Sequence, residues 1–218
     1  MSRSSDSPSD TAPDLSPPFH REDVEIQQRE TVYDGFFTMQ KLTLRHRLFE
    51  GGWGPAVSRE LFVRGDAVAA VLYDPVHDLI GLVEQFRIGA MDEENGPWCL
   101  EVVAGMMESG ETPEDVVRRE MLEETSIEAD QIEYICNYMT SPGGTNEKLH
   151  LYCALTDLSK AGGVHGLEEE GEDIKVRVLA AQPVFDAMLK GRFNNAATLI
   201  CLQWLQLNHP RLRANGVR

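Results

Sequence analysis

Cysteine is scarce in these 218 residues: there are four, Cys99, Cys136, Cys153 and Cys201, each isolated within an apolar stretch. That spacing excludes a disulfide framework or a cysteine-based zinc site and predicts reduced core residues. Histidine is equally sparse. His20, His46, His77, His150, His165 and His209 are scattered, which argues against a histidine metal centre. No apolar run approaches the roughly 20 residues needed to span a bilayer. The N-terminus is acidic and has no apolar h-region, so neither a secretory signal nor a transit peptide is expected, and a cytoplasmic location is. Basic residues are outnumbered, 20 Lys and Arg against 36 Asp and Glu, for a net charge of −16. Such a surface repels a nucleic-acid backbone, so neither nucleic acid nor membrane is an expected partner. An anionic small substrate would need local arginines and bound cations. Gly143-Gly144 is not followed by the lysine of a phosphate-binding P-loop.

What is present suffices for one sizeable core or a core plus an accessory domain, with an ordinary hydrophobic content of 42%. Residues 1–22 are rich in Ser, Asp and Pro without apolar periodicity, and read as a disordered tail. Residues 23–65 form a β-rich accessory segment, with strand-like runs at 36–49 and 60–63 and a Gly-Gly-Trp-Gly-Pro loop between them. It is too short for a strong core of its own. The main domain is expected over 66–218. Strands are predicted at 67–73 and 79–87, joined by a hairpin, and at 98–103, 132–139, 148–155 and 173–179. Two C-terminal helices are predicted, 183–190 and 195–207, the second stopped before Pro210. Strands mixed with helices indicate an α/β layered sandwich.

The most informative stretch is 104–127, AGMMESGETPEDVVRREMLEETSI. Thr112 suits an N-cap, Pro113 the first helical position and Asp115 the acid of a capping box. At about 100° per residue, Glu120, Glu123 and Glu124 project within one arc of roughly 100°. Three carboxylates so placed repel one another unless solvent, Arg118 and Arg119, or a hard divalent cation neutralises them. A second acidic run follows at Glu168-Glu169-Glu170-Gly171-Glu172-Asp173, flanked by glycines that would let it move over a substrate.

The spacing of Gly105, Glu111, Arg119-Glu120, apolar Met121 and Glu123-Glu124 resembles the Nudix box. One position departs: Ser126 stands where the family has a glycine that eases a left-handed helix exit. The Ser-Pro-Gly-Gly-Thr-Asn-Glu loop at 141–147, the acidic run and Asn195-Ala196-Ala197-Thr198 make the chain similar to the bacterial ADP-ribose pyrophosphatases of that family, over about 35–209. The resemblance implies a Nudix α/β/α sandwich with a mixed sheet, plus a small N-terminal β-rich dimerisation domain. It implies hydrolysis of ADP-ribose to AMP and ribose 5-phosphate with magnesium, manganese being the alternative metal, at two or more ions per site. Alternatives are a Nudix pyrophosphatase for another nucleoside diphosphate sugar such as GDP-mannose, and a non-catalytic ADP-ribose-binding regulator.

By the same resemblance Glu120, Glu124 and Glu172 are metal ligands, with the Ala104 carbonyl beside them. Glu170 is the base for the attacking water, Glu123 supports the ligands, and Glu111 with Arg119 holds loop and helix together. Arg64, Arg87, Met106, Ser141, Pro142, Gly143 and Glu147 would bind substrate. Phe36, Phe37, Arg59 and Glu60 would reach across from the partner of a homodimer, so that each active site is composite.

Overall fold

The computed structural model describes residues 14–129 and 131–216, without the side chains of Glu170 and Asn215. The first 13 residues of the expected tail therefore lie outside the described residues. The chain divides into two compact units, Met1–Leu61 and Phe62–Arg218.

In the first unit, strands β1 (Val24–Asp34), β2 (Thr38–His46) and β3 (Val57–Val63, which ends in the second unit) form a three-stranded sheet in that order. β1 was not foreseen as a strand, because its sequence VEIQQRETVYD has few apolar residues to alternate. Its register against antiparallel β2 carries polar pairs, among them Arg45 to Glu25 at 2.6 Å. Trp53, in the loop before β3, is flanked by the guanidiniums of Arg45 and Arg47, 4.9 and 4.5 Å from its ring centre.

The second unit is built on an eight-stranded sheet. Its strands are β4 (Asp66–Asp74), β5 (Leu79–Phe86), β6 (Trp98–Glu101), β7 (Val103–Met106), β8 (Gln131–Met139), β9 (Lys148–Leu155), β10 (Gly163–His165) and β11 (Ile174–Ala180). The main path runs β10–β11–β5–β4–β9–β8, with β6 on β5 and β7 on β4. The β4–β9 pair is parallel and the others are antiparallel, so the sheet is mixed. β4 and β5 pair only beside their hairpin, from Leu72–Gly81 to Asp74–Leu79, and then diverge. The gap is filled by β6 and β7, which read as one predicted strand but break at Val102.

Helix α1 (Pro113–Thr125) covers one face; α2 (Ala181–Leu189) and α3 (Ala196–Gly216) cover the other. Strand alternation divides β4 between them: Ala69, Val71 and Tyr73 join the α2–α3 core, and Val68, Ala70 and Leu72 the α1 core. This is an α/β/α sandwich. Three cysteines, Cys99, Cys153 and Cys201, are buried and all four are free thiols.

The expectation that Pro210 ends the last helix is corrected: α3 runs through it. Proline removes one helical N–H, but the turns beyond it are anchored. Leu212 is buried in the core, and Arg211 grips both oxygens of Glu133 at 2.6 and 3.2 Å. Tertiary contacts outweigh the local stop signal.

Candidate active site

Helix α1 begins as its sequence dictates. The Thr112 hydroxyl accepts from the Asp115 N–H at 3.3 Å, Asp115 accepts from the Thr112 N–H at 3.2 Å, and Pro113 occupies the first turn. Val116, Val117 and Met121 are buried against the sheet, each contributing about 1.5–3 kcal/mol. The helix leaves through Ser126 in the left-handed region, φ 56°. There its hydroxyl meets His165 Nδ1 at 3.1 Å.

Glu120 and Glu124 project between Val116 and Val117 around the helix, and so also toward the sheet, over β7. Glu124 is 2% exposed, its Oε2 accepting from the Ala104 N–H at 3.3 Å and Oε1 from Gln85 Nε2 at 3.2 Å. Burial, and then the neighbouring Glu120 charge, push its carboxyl up to about 8, with Arg87 opposing. Glu120 is raised too, by burial first, against Arg119 and with help from Glu123 and Glu172. Glu120 lies so close over Gly105 that a Cβ there would overlap its carboxyl, which explains the glycine of the motif.

Arg119 is the hub of the loop and helix. It donates to both oxygens of Glu111 at 2.9 and 3.2 Å, to Glu120 at 2.7 Å, to Glu123 at 3.2 Å and to the Met106 carbonyl at 3.1 Å. Its own proton affinity is raised, chiefly by Glu111, so it stays charged.

Sheet register assembles the remaining parts. The first residues of β4 lie between the end of β7 and the start of β9, with Ala67 facing Met106 on one side and Leu149 on the other. That brings the box loop and the 141–147 loop to one end of the sheet. The latter is a tight turn, with the N–H groups of Gly144 and Thr145 both bonded to the Ser141 carbonyl at 3.0 Å. Phe62 N–H bonds the Gly144 carbonyl at 2.8 Å, Arg64 N–H bonds Asn146, and Arg64 Nε pairs with Glu147 at 3.0 Å. Ser141, Pro142 and Gly143 are exposed on this turn.

The acidic run begins at Gly166, whose N–H bonds the Glu123 carbonyl at 3.3 Å, and Glu172 accepts from the Leu167 N–H at 3.0 Å. Glu168–Glu170 is a single 3-10 turn closed by Gly171 at φ 70°. The Glu170 side chain, the expected base, lies outside the described residues.

Phe36, Phe37, Arg59 and Glu60 belong to the first unit. The two phenylalanines lie in the β1–β2 turn, not in the strand expected from residue 36, and pack edge to face with ring centres 4.7 Å apart. Phe36 is 87% exposed.

Three polar groups were not assigned from the sequence: Gln85, Glu101 and the side chain of Asn195. For Gln85 and Glu101 the available signal was a polar residue with a buried place in an otherwise apolar strand, LIGLVEQF and WCLE. Glu101 accepts from Arg87 Nε and Asn195 Nδ2, both at 2.7 Å.

The donor set at α1 fits a divalent cation: its groups are hard oxygens, the Glu124 carboxyl is buried and that of Glu120 partly so, and their mutual repulsion lacks a full counter-charge. Among the described residues, the side chains that do come within ligand reach of one another are Asp74, His77 and Asp157, at the far end of β4. Asp74 is there a turn cap: its oxygens accept from the N–H groups of Val76, His77 and Leu158 at 2.9–3.0 Å, and the His77 ring lies 2.8 Å away.

The NUDIX domain profile matches residues 63–197. The chain is 43% identical to the ADP-ribose pyrophosphatase of Haemophilus influenzae, over 92% of this chain and 94% of that protein. It is 44% identical to the ADP-ribose pyrophosphatase of Escherichia coli K12, over 89% and 93%. Identity to the GDP-mannose pyrophosphatase of Escherichia coli O1:K1 is 26%, over 85% and 96%. A solved structure described as an ADP compounds hydrolase shares the fold, with a TM-score of 0.66, 20% identity and coverage of 88% of this chain and 97% of that one. With the box, its helix and the sheet register in place, the chain belongs to the Nudix family.

Proposed function

We propose that this protein is a magnesium-dependent ADP-ribose pyrophosphatase, cleaving ADP-ribose with water to AMP and ribose 5-phosphate. The observation that carries the reading is the pair of buried Glu124 and partly buried Glu120, held against Ala104 and over Gly105, in a chain 43–44% identical to two ADP-ribose pyrophosphatases over nearly its whole length.

Glu120 and Glu124, with Glu172 from the acidic run and the Ala104 carbonyl, would hold two or more magnesium ions. Bound ions would draw charge from the diphosphate and steady the attacking and leaving oxygens. The protein's own groups do the rest. Arg119 holds Glu120 while the site fills, and Gln85 fixes one oxygen of Glu124. Arg87 and Arg64 present guanidinium forks suited to phosphate oxygens. Glu147, held by Arg64, can accept from ribose hydroxyls when that ion pair opens. Glu170 takes the proton of the attacking water. In a homodimer, the exposed Phe36 and its neighbour Phe37 would stack on the adenine of the partner's substrate, with Arg59 and Glu60 beside them.

The test is a product analysis of purified protein with magnesium, offered ADP-ribose, ADP-glucose, GDP-mannose, NADH and FAD. AMP and ribose 5-phosphate from ADP-ribose, at the highest kcat/KM of the panel, is the expected result. Preference for GDP-mannose would overturn the substrate. Loss of the base should cost about 10²–10⁴-fold, so Glu170→Gln within threefold of wild type would remove Glu170 from that role.

A further inference from the structure

One series of polar groups, buried at Thr198 and Glu101, runs up to Arg87, and its members other than Arg87 take no part in the chemistry above. It starts at α3. Asn195 precedes the helix, and its Oδ1 accepts from the Thr198 N–H at 3.0 Å and the Thr198 hydroxyl at 3.3 Å. The fully buried Thr198 hydroxyl in turn accepts from the Val102 N–H at 3.2 Å, the donor left over where β6 breaks from β7. Asn195 Nδ2 then donates to Glu101 Oε1, and the other oxygen of Glu101 receives Arg87 Nε, each bond 2.7 Å long. Helix, strand break and arginine are thus wired in series.

The two ends of the Glu101–Arg87 pair differ in exposure. Glu101's side chain is 5% exposed and Arg87's is 42% exposed. A buried carboxylate with both oxygens engaged from separate elements is a fixed point, whereas an arginine at the surface is ordinarily a mobile one. Anchoring Nε fixes the guanidinium plane and leaves Nη1 and Nη2 as a two-donor fork of the kind that matches phosphate oxygens. Among the described residues, neither Nη atom makes a hydrogen bond. The fork also lies near the box helix, since Arg87 acts on the Glu124 carboxyl.

We propose that Glu101 and Asn195 are positioning residues that act through Arg87, holding its guanidinium in the orientation that receives the diphosphate of the substrate. The proposal rests on the reading of Arg87 as a substrate contact. Preordering removes an entropic cost of binding that is the same in ground and transition states, so its loss falls on KM rather than kcat.

Two variants and two readouts test it. Glu101→Gln keeps the shape but has one acceptor oxygen where Glu101 has two, so it cannot receive both Arg87 Nε and Asn195 Nδ2, and any bond it keeps to Arg87 loses the carboxylate charge. Asn195→Ser keeps a helix-capping oxygen but is too short to reach Glu101. Steady-state hydrolysis of ADP-ribose with magnesium should show KM raised about tenfold for Glu101→Gln and about threefold for Asn195→Ser, with kcat within twofold in both. In an Arg87→Ala background, Glu101→Gln should add no further loss beyond twofold. Independently of turnover, the Arg87 Nε–Hε resonance should be sharp and protected from water exchange in the wild type and broadened in Glu101→Gln. If Glu101→Gln fails to fold, Asn195→Ser carries both readouts. Equal losses with and without Arg87, or an unchanged Nε–Hε resonance, would overturn the proposal. An active wild type whose KM is unmoved by Arg87→Ala would sink the positioning role alone. A wild type inert on ADP-ribose would sink the functional reading, and this one with it.

Discussion

Replacing Gly105 by alanine isolates the placement of one carboxylate. Gly105 has an ordinary backbone conformation, so alanine strains nothing in the main chain. Its Cβ would nevertheless fall on the Glu120 carboxyl, far inside the 3.0 Å that real Cβ contacts essentially never breach. Glu120 cannot yield freely, because Arg119 holds its Oε1 at 2.7 Å and is itself tied to Glu111 and the Met106 carbonyl. The carboxyl must retreat by about 1 Å or more, and a misplacement of that size costs on the order of 100-fold in rate. Stability should suffer less, by about 1–3 kcal/mol, the usual cost of overpacking. The assay is kcat/KM for ADP-ribose across a magnesium titration, with a thermal melt on the same sample. A fall of about two decades with a cooperative melt, and a higher magnesium requirement, is the expected outcome. Activity within threefold of wild type would refute the claim that Glu120 must sit on that glycine.

Two further outcomes follow from the same structure. Ser126→Gly should relieve the left-handed exit by about 1 kcal/mol, partly offset by loss of the His165 contact, and raise Tm by a few degrees; a lower Tm would mean that the His165 contact dominates. His77 is raised above its ordinary value by its hydrogen bond to Asp74, and then by that group's charge. Its contribution is therefore fully present below the unfolded histidine value of about 6.5 and lost as pH rises through the raised folded value. Titrating Tm across that window should show a decline that His77→Ala abolishes, and an identical slope in the variant would refute the assignment.

The parts of the protein legible in the sequence are those decided locally. The capping box at Thr112 and Asp115, the Asp74–Asp78 turn and the left-handed residue at position 126 each depend on a handful of neighbours. Where distant groups decide, the reading failed. β1 is mostly polar and pairs along its length with β2, and Pro210 is overridden by Leu212 and Arg211. Gln85 and Glu101 reveal themselves only with partners 39 and 94 residues away, Glu124 and Asn195. The acids of α1 could be counted in advance, but their burial, and the glycine one of them needs, could not.

β4 has its side chains divided between the cores on the two faces of the sheet, with Val68 to Asp74 buried without interruption. Interiors at crystal-like density accept volume-conserving exchanges and little else. A strand of this kind offers no position at which a lineage can drift cheaply, and it carries the site at one of its ends. New substrate preferences on this scaffold have to arise off this strand, in turns such as 35–37, 141–147 and 166–173, where side chains can change without disturbing either core.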